Sequence, residues 1–184
     1  DIPIQHINDK ILKSMNRRGT GEEIRALLKT LRERIPGVVL RTSLISGLPG
    51  EGEAELEELC EFLREARIER VGVFPFSPEE GTPAAAMEHV DYDEAQRRAE
   101  IIMQLQAEIM DEFCESLVGK NLRVLCDGYD EERGMLCGRT YADSPDIDGQ
   151  VFFTGSAAAG DMTNVLIQSA EDGILFGEEA ESNV

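Results

Sequence analysis

The strongest constraint on this chain is a change of rhythm near Gly119. Ahead of it, the strand-like runs "DIPIQ", "VVLRTSLISG" and "RVGVFPFS" return at steps of roughly 30–40 residues, with helical patterns between them. "NDKILKSMNR" starts at Asn8, a capping residue, and "TGEEIRALLKTLRERI" carries the Thr20–Glu23 spacing of a capping box. In that second pattern Ile24, Leu27, Leu28, Leu31 and Ile35 fall on one face. A third helix is expected from Glu53 to Ala66, burying Leu56, Leu59, Cys60 and Leu63. A fourth opens with the Asp91–Glu94 capping spacing and carries the stripe Ile102, Leu105, Ile109 and Phe113 through to Leu117. Strands joined by connections this long pair in parallel. The run "VVLRTSLISG" alternates too little for a half-exposed strand, so it is expected to be mostly buried. The first strand has one edge without a partner and is expected to fray or self-associate over residues 1–20.

After Gly119 the runs "LRVLC", "MLCGRTY", "QVFFT", "NVLIQSA" and "GILFG" are short and β-rich, separated by turns such as "DGYDEERG" and "SPDIDG". Five strands in so short a span predict a small barrel of OB-like type. The expected architecture is therefore a partial, open TIM-like α/β barrel over residues 1–117, followed by an all-β barrel over residues 118–184.

Composition narrows the partners. Hydrophobic residues make up 41% and charged residues 30% of the 184, which suits a packed domain, and no run approaches the length a membrane span needs. No secretory leader is visible, the missing methionine suggests a processed or excised chain, and reduced thiols of a cytoplasmic protein are the expected state of the cysteines. The net charge of −19 is the reverse of a phosphate-binding surface, so a basic protein is expected as partner rather than nucleic acid; solvating charge is the plain alternative. Cys60, Cys114, Cys126 and Cys137 make no C-x-x-C and match no metal spacing, and His6 and His89 stand apart. No metal ligand and no catalytic residue is assigned.

Ligands of parallel α/β sheets bind at the carboxyl ends of strands. That points to "IQH", "SGLPGE" and "FPFSPEEGTP". The glycines of "GLPGEG" allow close backbone approach, and helix-start N–H groups beyond them could hold a polar ligand group; a purely structural turn is the alternative. Gln5 could donate and accept toward a ribose or amino-acid moiety. Arg41, inside an apolar strand, would either pair within the barrel or grip a ligand carboxylate. Glu51 is expected to complement a helix dipole.

Taken in order, "DIPIQH", "MNRRGT", "RTSLISGLPGE" and "FPFSPEEGTPAA" resemble the radical S-adenosylmethionine methylthiotransferases, closest to the RimO-like branch, which modifies an aspartate of a small-subunit ribosomal protein. The β unit resembles that family's TRAM domain. The resemblance covers residues 1–177 and implies S-adenosyl-L-methionine and two 4Fe-4S clusters in the full-length enzyme. The C-x-x-x-C-x-x-C of such enzymes is not in this sequence, so the chain alone is expected to be inactive. By position the resemblance carries cofactor contact onto Gln5, Arg41, Ser43, Gly47, Phe76 and Ser77. It leaves open a tRNA-modifying relative, and a non-catalytic acidic adaptor remains a reading of another class. Residues 118–184 hold four Lys/Arg against thirteen Asp/Glu, a net of −9, which favours a basic ribosomal protein over RNA.

Overall fold

The computed structural model describes residues 1–180. The chain divides into two compact units, residues 1–109 and the segment from Met110 onward.

Helix formation in the first unit follows the local signals. α1 (Asp9–Ser14) is capped by Asn8, whose side chain accepts from the N–H groups of Lys10 and Ile11. α2 (Gly21–Arg34) opens with a complete capping box between Thr20 and Glu23. α3 (Glu53–Ala66) ends at Arg67 in the left-handed conformation. α4 (Tyr92–Glu115) starts where the Asp91 carboxylate takes the N–H of Glu94 at 2.9 Å. Between α3 and α4 a short 3-10 turn covers Pro83–Ala86.

Among the described residues the first unit contains a sheet of two strands, β1 (Arg41–Ser46) and β2 (Arg70–Pro75), paired in parallel across α3. The expected first strand is instead an extended segment. Gln5 makes a single parallel bridge to Leu44, and its φ of 70° turns the chain away before a ladder can form. That segment is held to β1: Ile4 and Ile7 are buried, and Ile2 N–H donates to the Arg41 carbonyl at 2.9 Å.

Strand β1 alternates, which corrects the expectation of a mostly buried strand. Thr42, Leu44 and Ser46 are buried, while Arg41, Ser43 and Ile45 are half-buried. Register places Leu44 beside Val73 and Thr42 beside Val71 on the face that packs against the helices. The core there joins Leu28 of α2, Leu56, Leu59, Phe62 and Leu63 of α3, and Ile102 and Ile109 of α4. The opposite face carries Arg41, Ser43, Ile45, Gly72 and Phe74, with Phe74 58% exposed. One face under helices and the other only partly covered is the section of a barrel wall. On α2 the expected stripe is narrower than its pattern: Leu27 and Ile35 are exposed, Leu27 at the stripe's edge and Ile35 beyond the last helical turn.

In the second unit, β3 (Asn121–Asp130), β4 (Met135–Arg139), β5 (Val151–Thr154), β6 (Met162–Glu171) and β7 (Ile174–Glu179) close into a barrel in the order β3-β4-β5-β7-β6, an OB-type sequence of strands. β5 and β7 pair in parallel and the other neighbours antiparallel. Bulges at Cys126/Gly128 and Ile167/Ser169 bend the two long strands β3 and β6. Val124, Cys126, Val151, Phe153, Val165, Ile167 and Leu175 fill the barrel, joined by Cys114 and Phe113 of α4. On the other side of β5, Phe152 stacks on Phe176 at 5.9 Å and lies under the Arg133 guanidinium at 4.5 Å, so this four-residue strand is buried on both faces.

The glycine turn after β1 is a tight junction with α4. Gly47 has φ 75°, and a Cβ there would lie 2.5 Å from the Ala95 Cβ of α4 and 3.0 Å from Val90. Gly81, with φ 82°, has nothing within 4 Å of such an atom. In urea unfolding, Gly47→Ala is expected to destabilise by more than about 2 kcal/mol and Gly81→Ala by about 1, the difference being steric overlap rather than backbone conformation. Equal losses would place the whole effect in the backbone.

Candidate functional site

At the carboxyl ends of β1 and β2 lies a cavity of about 320 Å³. Ile45 comes from β1, Leu48 and Pro49 from the glycine turn, and Phe74, Pro75, Phe76 and Ser77 from β2 and its extension. Ser14 and Met15 of the α1 end form another wall, and Ala84 and Met87 of the 3-10 turn a third. The lining is apolar apart from the two serine hydroxyls, which suits the flat face of a heterocycle better than a charged group. Phe76 is fixed at the rim by its N–H bond to the Ser46 carbonyl (2.8 Å) and by edge-on packing with His89 at 5.3 Å.

Of the sequence-derived residues, Phe76 and Ser77 line this cavity together. Ser43 stands one pair back along the open sheet face, beside Gly72. Gln5 is joined to the strand there, its N–H donating to the Ser43 carbonyl and its carbonyl accepting from Ile45, both at 2.9 Å. Arg41 opens β1 at the opposite end, four residues or roughly 13 Å from Ile45 at strand spacing, so it does not meet Phe76 at the rim. Gly47 gives its N–H to Glu51 Oε1 at 2.9 Å. The N–H of Glu51 goes to the Leu48 carbonyl and that of Gly52 to Glu55 Oε2. The N–H groups of Gly47, Glu51 and Gly52 are therefore satisfied within the turn and α3 and are not offered to a ligand.

A larger cleft of about 430 Å³ runs between α2 and α3, on the helical side of the sheet. Its floor includes Phe62, which is shielded from solvent and covered by the Arg25 guanidinium at 4.9 Å. None of the sequence-derived residues reaches it. The strand-end cavity is the candidate site.

Behind the rim sits a buried polar cluster that sequence reasoning passed over. His6 and Glu51 side chains have no solvent exposure and Arg98 has 6%. His6 Nδ1 accepts the Asn8 N–H at 3.0 Å, which leaves Nε2 to face Glu51 Oε2 at 3.4 Å. Arg98 donates through one nitrogen to Glu51 Oε1 (3.1 Å) and to the Glu51 carbonyl (2.8 Å), and through Nε to Glu94 (2.7 Å). Burial pushes the Glu51 carboxyl up, but His6, the Gly47 N–H and Arg98 together outweigh it and hold the group below its ordinary range. Hydrogen bonds from Arg97 and Arg98 hold Glu94 at about 2 against an ordinary 4.5. A signal for Arg98 existed: it lies four residues before Ile102, on the apolar stripe of α4, where an unpaired charge would not be tolerated. Glu51 is thus a buried ion-pair partner, beyond the helix-dipole role expected of it.

Residues 1–63 match the Radical SAM superfamily and residues 118–179 the TRAM domain. Curated relatives extend the likeness across the junction. The ribosomal protein uS12 methylthiotransferase RimO of Bdellovibrio bacteriovorus is 43% identical over 181 residues, 97% of this chain and 40% of the relative. The protein of the same name from Acetivibrio thermocellus is 45% identical with the same coverage, and that of Thermotoga maritima 43% identical over 96% of this chain and 41% of its own length. Over both units this chain is similar to the radical S-adenosylmethionine methylthiotransferases of the RimO-like branch. It spans about 40% of the length of the curated relatives it matches. Among the described residues no group of three His, Cys, Asp or Glu could hold a metal ion, and no helix is long and apolar enough to cross a membrane.

Glu51 and Glu94 have folded-state values below their unfolded ones, so they stabilise the fold above the unfolded pKa of about 4.5 and lose that contribution as pH falls through the folded value. Glu94→Gln is expected to be less stable than the parent at neutral pH, with the gap closing between about pH 4.5 and pH 2 in urea titrations. A gap that does not change with pH would remove Glu94 from the acid response.

Proposed function

We propose that this chain forms one wall of an S-adenosylmethionine site together with the substrate-recognition domain of a methylthiotransferase acting on an aspartate of ribosomal protein uS12. The observation that carries the reading is the identity of 43–45% to uS12 methylthiotransferases over nearly the whole chain, the α/β unit and the β-barrel in one alignment. In the full-length protein, S-adenosylmethionine and the two 4Fe-4S clusters that the likeness implies would supply the radical chemistry of sulfur insertion.

The residues of this chain fit the organic part of that cofactor. An adenine ring would lie in the strand-end cavity against Ile45, Leu48 and Phe76, with the Ser77 backbone and hydroxyl at its edge. Gln5 and Ser43 stand on the open sheet face where a ribose or methionyl group would follow. Arg41, at the far end of β1, belongs to the interior of the barrel rather than to adenine contact. Gly47 supports the cavity by letting α4 approach the turn. The cluster ligands would come from the part of the protein outside this chain, so the 184 residues alone perform no radical chemistry in a water-excluded site.

The barrel unit, from Val118 onward, would capture the substrate protein. Its net charge of −9 repels RNA phosphates and attracts a basic ribosomal protein in the cytoplasm. Titrated at physiological salt, the 184-residue chain is expected to bind uS12 and not unmodified tRNA, with uS12 affinity falling as salt rises. Preference for tRNA would move the chain to the tRNA-modifying branch. Binding to neither would remove the barrel from substrate recognition.

A further inference from the structure

None of His6, Glu51 and Arg98 lines the cavity, yet the three join the glycine turn that forms one of its walls to the first extended segment and to α4. His6 follows Gln5, the residue with a left-handed backbone at the end of the first extended segment. A side chain in that region persists only where its surroundings determine it. The chain before Gln5 is tied to β1 by the Gln5 N–H and carbonyl. The chain after it is tied by the His6 N–H, which closes the turn over Gln5 onto the Ile4 carbonyl at 2.9 Å, and by the His6 ring, which takes the Asn8 N–H on one nitrogen and faces Glu51 with the other.

Glu51 then holds the second rim element. Its carboxylate takes the Gly47 N–H, and its carbonyl is bound by Arg98, so the turn carrying Leu48 and Pro49 is fixed at both ends. Arg98 brings in α4, and the Ser46 hydroxyl adds a 2.8 Å bond to the Ala95 carbonyl of the same helix. His6 Nε2 and Glu51 Oε2 have no hydrogen-bond partner of ordinary length, so each depends on the other at 3.4 Å. Apolar residues would fill such a space with equal or greater stability. A buried charge network retained behind a cavity, without touching it, is fitted to set position.

We propose that Glu51 is a positioning residue: through His6 it holds Gln5 in its left-handed conformation, and through the Gly47 N–H it holds the Leu48–Pro49 wall, so that the pocket is shaped before ligand arrives. This rests on the adenosyl-site reading above. Preorganisation of this kind acts on ligand affinity, because the free site no longer has to be ordered on binding.

Two measurements test it. In the cluster-loaded full-length enzyme, calorimetric titration with S-adenosylmethionine well below the melting transition is expected to give Glu51→Gln a Kd raised about tenfold or more. Leu63→Ala, a core truncation in α3 outside the network, is expected to lower the Tm while leaving Kd within about twofold, which separates shape from stability. In the 184-residue chain without ligand, the three-bond HN–Hα coupling and amide shift of Gln5 are expected to leave their left-handed values in Glu51→Gln. Should that variant not fold, His6→Asn removes the link to Gln5 and leaves Glu51 with Arg98 and Gly47. Unchanged Gln5 couplings, or a Kd within twofold of the parent alongside a lowered Tm, would overturn the proposal. A parent enzyme that fails to bind S-adenosylmethionine would instead overturn the site assignment, and the Gln5 couplings would still decide the positioning role.

Discussion

Glu51 carries a charge that water does not reach, and the first unit is arranged so that this charge is never alone. An isolated buried carboxylate would change its protonation state or open the fold. Here the Arg98 guanidinium, the Gly47 N–H and the His6 ring surround it, one from α4, one from the turn after β1 and one from the first extended segment. Because the three partners come from three elements, satisfying one group fixes the relative position of all of them. Polar networks in low dielectric have this property: complete, they specify one arrangement, and incomplete, they are worse than an apolar core.

A second clamp of the same kind closes the other end of the sheet. Glu69 accepts the Leu40 N–H at 2.8 Å and pairs with Arg32 of α2 at 2.7 Å, while Arg32 also binds the carbonyls of Ala66 and Arg67 at the end of α3. Gln106 of α4 donates to the Ile68 carbonyl at 2.9 Å. Between these clamps the helices cover one face of the two strands with aliphatic side chains, leaving Ile45 and Phe74 on the other. The cavity lies at the Glu51 end, where the strand tips, the α1 end and the 3-10 turn meet. Its walls are apolar because the polar groups near it are already engaged behind the rim.

Most of the architecture was legible in the residue pattern. Caps at Asn8, Thr20 and Asp91, the buried set of α3 and the five barrel strands all rest on short-range rules that tertiary contacts reinforce. What was not legible depends on long-range pairing. The alternation of β1 is masked in sequence because Thr42 and Ser46 are polar yet buried, Thr42 Oγ1 accepting the Ile4 N–H and the Ser46 hydroxyl donating to the Ala95 carbonyl of α4. Gln5 ends a strand-like run in a conformation no propensity predicts. The site was half legible. Phe76 and Ser77, singled out from the sequence, line the cavity, whereas Met15 and Met87 carry no sequence mark, since one ends a helix and the other follows a proline-led turn. His6 and Arg98 stand 92 positions apart in the chain, and only folding reveals that they share a carboxylate.

The account stands or falls on whether Glu51 closes the rim from within, and amide hydrogen exchange at Gly47 reads that directly. The Gly47 N–H is expected to exchange only through global opening of the first unit, with protection matching Leu44 at the centre of β1. Exchange at the rate of the open Gly81 loop would show that the turn opens independently of the core, and the rim would then have no fixed shape to offer a ligand.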